Sequence, residues 1–408
     1  MTNLFSGNTF LEKLSRVGLK KHTQKKRIIR LMYQHGAMSV AELIGIMGLS
    51  SPSILSLLEE LTKEHLVEIK GAGDSSGGRR PNLYGLKSNS FFVLGIDIGL
   101  YATRIAIYNN NNENISGTKL YNILLDNSTS KLDAVYQYAT DLILSSKIEA
   151  FRLIGVGVSM PGLINIDEGV NYSYFYQDDK SLKSRLEEKF SKPVFIINDA
   201  HAKAIAELRF GQAKGKKNVI VLNVSSGLST GLIFNGEVYH GTNGFSGEFS
   251  HTPFVDDGVL CNCGKKGCLE TVASGLAIKR NAIEGLRNGV SSIVSNLVHD
   301  NLDDLQSKHV VDAALQGDHF SINLISKVGY ELGKGASVLV QTLNPELIIV
   351  GGRVSRAGDF LILPMKQALN EYSLYKIKET VKISLSKLGN TANLVGIVAY
   401  VMENVLEN

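Results

Sequence analysis

At 408 residues the chain is longer than one ordinary core sustains, so two or three folded units are expected. Hydrophobic residues make up 44% and charged ones 20%, as in water-soluble globular proteins, and no run approaches the roughly 18 consecutive apolar residues of a membrane span. The basic residues near the N-terminus have no compact apolar run behind them, so a cytoplasmic location with no membrane partner is expected.

The net charge of +4 is unevenly spread. Residues 1–90 carry 13 Lys or Arg against 7 Asp or Glu, and the remainder is slightly acidic. That asymmetry suits either a nucleic-acid footprint or a solvated basic face.

In chain order, Ile28, Ile29, Leu31 and Met32 recur at helical spacing between His22 and Gly36, and Gly36 stands where a helix stops. Ser39 with Glu42 three residues on predicts a capping box for a short helix ending near Met47. After a Gly48-Leu49-Ser50 turn, a cap at Ser50 or Ser51 and Pro52 in the first turn open a third helix, with Ile54, Leu57, Leu58 and Leu61 on one face. This is the helix-turn-helix order. Two strands, 66–69 and 83–86, flank a Gly-rich tip at 71–78 and predict a wing.

In such a body the third helix enters the major groove of double-stranded DNA and the wing lies along the backbone or minor groove. The exposed side of the third helix offers Ser51, Ser53, Ser56 and Glu60. Cations come from Lys20, Lys21, Lys25, Lys26, Arg27 and Arg30 on the first helix and from Arg79 and Arg80 in the wing. The expected DNA-facing set is therefore Lys25, Lys26, Arg30, Ser51, Ser53, Ser56, Arg79 and Arg80.

The pattern changes at Lys87 to Ser90, which places a domain boundary between residues 1–88 and 89–408. A buried strand, 91–99, ends in an acidic, Gly-bearing turn. A second strand covers 101–108, the run Asn109 to Asn114 reads as a solvated hairpin connection, and 115–125 returns as a third strand. Apolar runs at 153–158, 194–197, 219–224 and 347–350 alternate with helical stretches, giving an α/β class, and a last helix runs from about Ala392 to Leu406.

The only cysteines, Cys261, Cys263 and Cys268, fall within eight residues, a poor arrangement for disulfides and a good one for a metal. His251 completes one imidazole and three thiolates, the donor set of a structural, tetrahedral zinc ion that would fix the loop carrying His251 and Glu270.

Three stretches carry a specific resemblance: Gly247-Glu248-Phe249-Ser250-His251, the run from Cys261 through Cys268 to Glu270, and Asn198-Asp199-Ala200. They resemble the motifs of the ROK family of repressors and sugar kinases, and with the N-terminal body the likeness covers nearly the whole chain, closest to the regulator branch. The resemblance implies a winged helix-turn-helix followed by a two-lobed, actin-like domain of the hexokinase type, with sugar bound between the lobes. It makes Asn198, Asp199, Glu248, His251 and Glu270 partners of sugar hydroxyls and puts Asp199 at the position of a catalytic base. One ring nitrogen of His251 would bind zinc while the other faces the ligand.

In the family's kinases the phosphate loops read Asp-x-Gly-Gly-Thr and Gly-Thr-Gly-x-Gly-Gly-Gly. Here the first reads Asp97-Ile98-Gly99-Leu100-Tyr101, and the second, Ser225 to Gly231, lacks three of its glycines. Side chains stand where backbone must approach phosphate, so no catalysis is expected and Asp199 reads as vestigial. Asn344 to Val354 still resembles the family's adenosine region.

The expected function is a sugar-responsive repressor of carbohydrate genes, a homodimer or tetramer on a DNA operator, with a sugar or sugar phosphate as effector. The alternatives are an ATP-dependent sugar kinase with an accessory DNA-binding domain, and a module that recruits a protein partner regardless of sugar.

Overall fold

The structure is a computed structural model and describes residues 3–5, 14–73, 80–176, 180–299 and 301–407. The chain forms two compact units: residues 1–197 with 397–408, and residues 198–396.

The first unit opens with a winged-helix body. Helix α1 (Arg16–His35) begins a turn and a half earlier than its apolar periodicity suggests, because Ser15 caps it by accepting from Gly18 N, and it ends at Gly36 with φ 81°. Strand β1 (Met38–Ser39) leads into helix α2 (Val40–Met47), where Ser39 and Glu42 form the reciprocal capping box. Gly48, left-handed at φ 67°, turns the chain into helix α3 (Ser51–Lys63), which buries Ile54, Leu57, Leu58 and Leu61. Strands β2 (Val67–Ala72) and β3 (Asn82–Leu86) form the hairpin, and β1 joins β3 to give the order β1-β3-β2. The third strand was not anticipated, since two residues carry no periodic signal. Strand β2 also continues past Ile69 to Ala72, into the expected tip; residues 74–79, Arg79 among them, lie outside the described residues.

The rest of this unit is a five-stranded sheet with helices. Strands β4 (Phe92–Ile98), β5 (Thr103–Asn109) and β6 (Lys119–Tyr121) run antiparallel. Helix α4 (Thr129–Ser145) follows, then β7 (Leu153–Met160), parallel to β4. A small β8–β9 hairpin (Ile164–Asn165, Val170–Asn171), helix α5 (Leu182–Phe190) and β10 (Val194–Asn198) complete it, in the order β10-β7-β4-β5-β6. Every residue of β4 and of β7 is buried, which explains their unbroken apolar character. The expected third strand shrinks to three residues.

The second unit repeats the pattern. Helix α6 (Asp199–Phe210) precedes the antiparallel β11 (Val219–Val224), β12 (Leu228–Phe234) and β13 (Glu237–Val238). Helices α7 (Gly275–Arg287), α8 (Val294–Leu297), α9 (Ser307–Leu315) and α10 (His319–Leu343) come next. Parallel strands β14 (Leu347–Gly351) and β15 (Lys382–Leu385) enclose α11 (Asp359–Tyr372) and α12 (Tyr375–Lys378), and the sheet order is β13-β12-β11-β14-β15. Thus three antiparallel strands followed by two more on the other side occur twice. Helix α13 (Ala392–Glu407) starts in the second unit and continues into the first. No single helix among the described residues is long and apolar enough to cross a membrane.

Candidate effector and metal site

The five side chains that the sequence assigns to sugar all belong to the second unit. Asn198 caps α6, its side-chain oxygen accepting from Ala200 N at 2.7 Å, and this sets Asp199 in the first helical turn. Lys203, one turn along the helix, donates to Asp199 Oδ2 at 3.0 Å, a pair readable from i,i+4 spacing but missed above.

Gly247, at φ 87°, begins the short helical turn Glu248–His251, and a Cβ there would lie 2.0 Å from Thr230 O. Only glycine lets this turn press against β12. His251 Nε2 then lies 3.7 Å from Glu248 Oε2, and its Nδ1 lies 3.9 Å from Glu270 Oε2. Loss of solvent holds the Glu248 carboxyl above the usual range, the charges of Asp199 and Glu270 push the same way, and His251 opposes them. Two acceptor carboxylates, Glu248 and Glu270, therefore flank one imidazole, and Asp199 is near enough for its charge to act on Glu248, chemistry suited to a polyol.

Two residues beyond Asp199, His201 is buried. Its Nε2 lies 3.1 Å from Ser246 Oγ and 3.2 Å from Ser246 O, while its Nδ1 lies 3.2 Å from His240 Nδ1. Burial, then the neighbouring His240, push its pKa down to about 4. The neutral pair pins the segment that leads into Gly247 and Glu248. Sequence alone offered no reason to join residues 201, 240 and 246.

On its other side His251 meets the cysteines. Its Nδ1 is 3.5 Å from Cys261 Sγ, Cys263 Sγ is 3.5 Å from Cys268 Sγ, and the four ligating atoms lie within 4.8 Å of one another. The thiols are free, and their separation far exceeds an S–S bond of about 2.05 Å. It fits a tetrahedral ion, whose ligand edges are roughly 3.8 Å for metal–sulfur bonds of about 2.3 Å. Burial drives the Cys261 thiol up to about 12, so a neighbouring cation is what would let the thiolates coexist. The ring thus presents Nδ1 to the metal group and Nε2 toward Glu248.

Glu270 ties this loop to the β11–β12 turn: its Oε1 accepts from Leu228 N at 3.1 Å and its Oε2 lies 3.7 Å from Cys261 Sγ.

The ROK family pattern matches residues 93–404, three quarters of the chain and both five-stranded sheets but for Phe92. The chain belongs to the ROK family. Its relatives include a xylose repressor of Caldicellulosiruptor bescii, 29% identical over 95% of this chain and 97% of that repressor. A glucokinase of Halalkalibacterium halodurans is 38% identical, over 60% of this chain and 74% of the enzyme. The crystal structure of a ROK family transcriptional regulator, a homologue of the E. coli MLC protein, superimposes with a TM-score of 0.79 at 24% identity, over 95% of this chain and 97% of that one. That similarity, across the winged helix as well as the lobes, is one of fold.

The two segments compared in the sequence with the kinases' phosphate loops are each closed by contacts of their own. Asp97 is buried and paired across the β4–β5 register with Arg104, whose Nη1 lies 3.5 Å from Asp97 Oδ2. The following turn closes through Gly99 N donating to Ala102 O at 2.9 Å and carries Leu100 and the exposed Tyr101. In the second loop, residues 225–227 form a tight turn. The carbonyls of Ser225 and Ser226 accept from Gly275 N and Leu276 N at the start of α7. Gly227 is kept for contact with Glu270, whose Oε1 would lie 2.5 Å from a Cβ there.

In the winged helix, Ser51, Ser53 and Ser56 are exposed along α3, and Arg80 is exposed at the wing. Other expectations need correction. Lys25 is buried, with its ammonium 2.9 Å from Glu60 Oε2 and 2.6 Å from Glu64 Oε1. Burial opposes its charge, yet Glu64 and Glu60 outweigh it and raise the Lys25 pKa. Lys26 is buried too, and loss of solvent lowers its pKa. Glu60, also paired with Lys21, faces α1 and not the open side of α3. Arg27 donates to Ile46 O at 2.9 Å, and Arg30 pairs with Glu407 at 3.0 Å. Most of the first-helix cations therefore bind the fold together.

Proposed function

We propose that this ROK protein is a sugar-responsive, DNA-binding transcriptional repressor that controls genes of carbohydrate uptake or breakdown. The observation that carries the reading is the coexistence in one chain of a winged-helix body with exposed Ser51, Ser53, Ser56 and Arg80, and a polyol-type cluster of Asn198, Asp199, Glu248, His251 and Glu270. Full-length similarity to a xylose repressor supports it.

In this reading a zinc ion on His251, Cys261, Cys263 and Cys268 is structural: four protein donors leave it no open position, and its task is to hold the His251 ring and Glu270 toward the sugar. DNA is bound by a symmetric dimer, one half-site per winged helix, in the cytoplasm. Arg79 and Arg80 meet the backbone or minor groove, and the α3 serines meet base edges.

The kinase reading draws on the glucokinase relative and on Asp199, but the Asp97–Arg104 pair and the closed 225–227 turn disfavour a nucleotide site. The test is retention of the upstream DNA by zinc-loaded protein at fixed salt, against a panel of pentoses, hexoses, amino sugars and their phosphates, beside an ATP-consumption assay with the same sugars. A repressor releases or tightens on DNA with one sugar and consumes no ATP. Sugar-dependent ATP consumption that Asp199→Asn abolishes establishes the kinase instead, and DNA binding indifferent to every sugar points to a protein partner.

A further inference from the structure

The asparagine run at 109–114, expected to be a solvated turn, is internal at its first two residues and exposed or half-exposed beyond them. Asn109 and Asn110 are 0% and 2% exposed. Asn109 Nδ2 donates to Asn89 Oδ1 and Glu113 Oε2, each at 2.8 Å. Asn110 Nδ2 donates to Lys87 O at 3.0 Å, and Asn110 Oδ1 accepts from Ser90 N at 3.0 Å. Asn111 Nδ2 donates to Ser88 Oγ at 3.0 Å. Each residue of the connector 87–90 is thus gripped by this hairpin, and Lys87 N also donates to Leu66 O of the winged helix at 2.9 Å.

Beyond the connector, the hairpin tip reaches the winged helix directly. Tyr33 Oη, near the end of α1, donates to Asn112 Oδ1 at 2.8 Å. One turn earlier on α1, Arg30 pairs with Glu407 at the end of α13. The two buried and fully hydrogen-bonded amides of Asn109 and Asn110, extended by the outer contacts of Asn111 and Asn112, specify one geometry where a short polar linker would ordinarily allow many.

We propose that the hairpin 109–114 is a docking surface for the winged helix, which together with the Arg30–Glu407 pair locks it to the first ROK lobe as one body. Movement of that lobe then reaches the DNA undiminished, with no slack taken up in the connector. The transmission half of this proposal rests on the sugar-responsive reading; the lock itself does not.

Asn112→Gly and Glu407→Ala test it in the full-length, zinc-loaded chain. Asn112 sits at φ 60°, which glycine accepts without strain, and loss of a negative charge at a helix C-terminus is not itself destabilising. The first readout is trypsin cleavage at Lys87, expected to be slow in the parent and about tenfold faster in the double variant as local opening is eased. The second is the ratio of operator Kd with and without whichever of D-xylose, D-glucose or N-acetylglucosamine shifts the parent. That ratio is expected to fall toward about 1 while sugar affinity by calorimetry is kept.

An unchanged cleavage rate overturns the docking surface, and so does free cleavage of the parent. Faster cleavage with an unchanged ratio overturns the transmission. If no sugar shifts the parent, the sugar-responsive reading fails, and the cleavage comparison alone decides the lock.

Discussion

Lys25→Met separates two roles for the same cation. The methionine keeps an apolar stem of similar length and removes the ammonium that lies between Glu60 and Glu64. A fully buried pair broken on one side costs ~3–5 kcal/mol and an exposed pair ~0–1 kcal/mol. The two carboxylates are 31% and 29% exposed against 11% for Lys25, so an intermediate loss of about 2 kcal/mol is expected.

The sign with pH follows from the raised Lys25 pKa. Its contribution is whole below the unfolded value of 10.5 and fades only as pH climbs through the higher folded value, so at neutral pH all of it is present to be lost. Urea unfolding followed by far-UV circular dichroism measures the loss. In parallel, the slope of log K for DNA against log salt should stay at the parent value, whereas Arg80→Ala should reduce it by about 0.9, the share of one phosphate contact. A Lys25→Met variant of parental stability whose slope drops by about 0.9 would refute the structural role and restore the original expectation.

Three further outcomes are expected. Cys263→Ser should lower bound zinc, read by metal analysis of the purified protein, and weaken sugar binding with it; full zinc retention would remove Cys263 from the ligand set. His201, held near 4 against 6.5 unfolded, makes the folded chain take up fewer protons than the unfolded one. Stability should therefore fall by about 2 kcal/mol between pH 7 and pH 5, and His201→Gln should flatten that dependence. Gly247→Ala meets both a φ of 87° and a 2.0 Å approach to Thr230 O, so it should cost about 2 kcal/mol or more and abolish sugar binding in calorimetry; near-parental behaviour would mean that the turn is less constrained than its geometry implies.

What the sequence disclosed was local. The Ser39–Glu42 box, the buried face of α3 and the Cys261–Cys268 spacing each lie within a few residues, where caps, periodicity and ligand geometry act directly. The relations that escaped it are made by distant partners. Lys25 looks like a surface cation until α3 brings Glu60 and Glu64 across it, and Asp97 looks like a phosphate-loop acid until strand register sets Arg104 opposite. Asn109 and Asn110 read as solvated because polar side chains usually are; their burial depends on the connector about 20 residues earlier, which supplies the partners that make it affordable.

Helix α13 also has a consequence for biosynthesis. Ile397 and Val401 fill the space over Gly155 and Gly157 of β7, where a Cβ would come within 2.5 Å to 2.9 Å of them. These residues leave the ribosome after the whole of 198–396, so the first unit cannot close over its central strand when its own N-terminal part has been made. The winged helix likewise gains its Glu407 partner only after residues 198–396 have been made. A chain stopped short of α13 would thus carry a winged helix without its anchor, and ordered packing of the first unit marks a chain whose synthesis has run through residues 198–396.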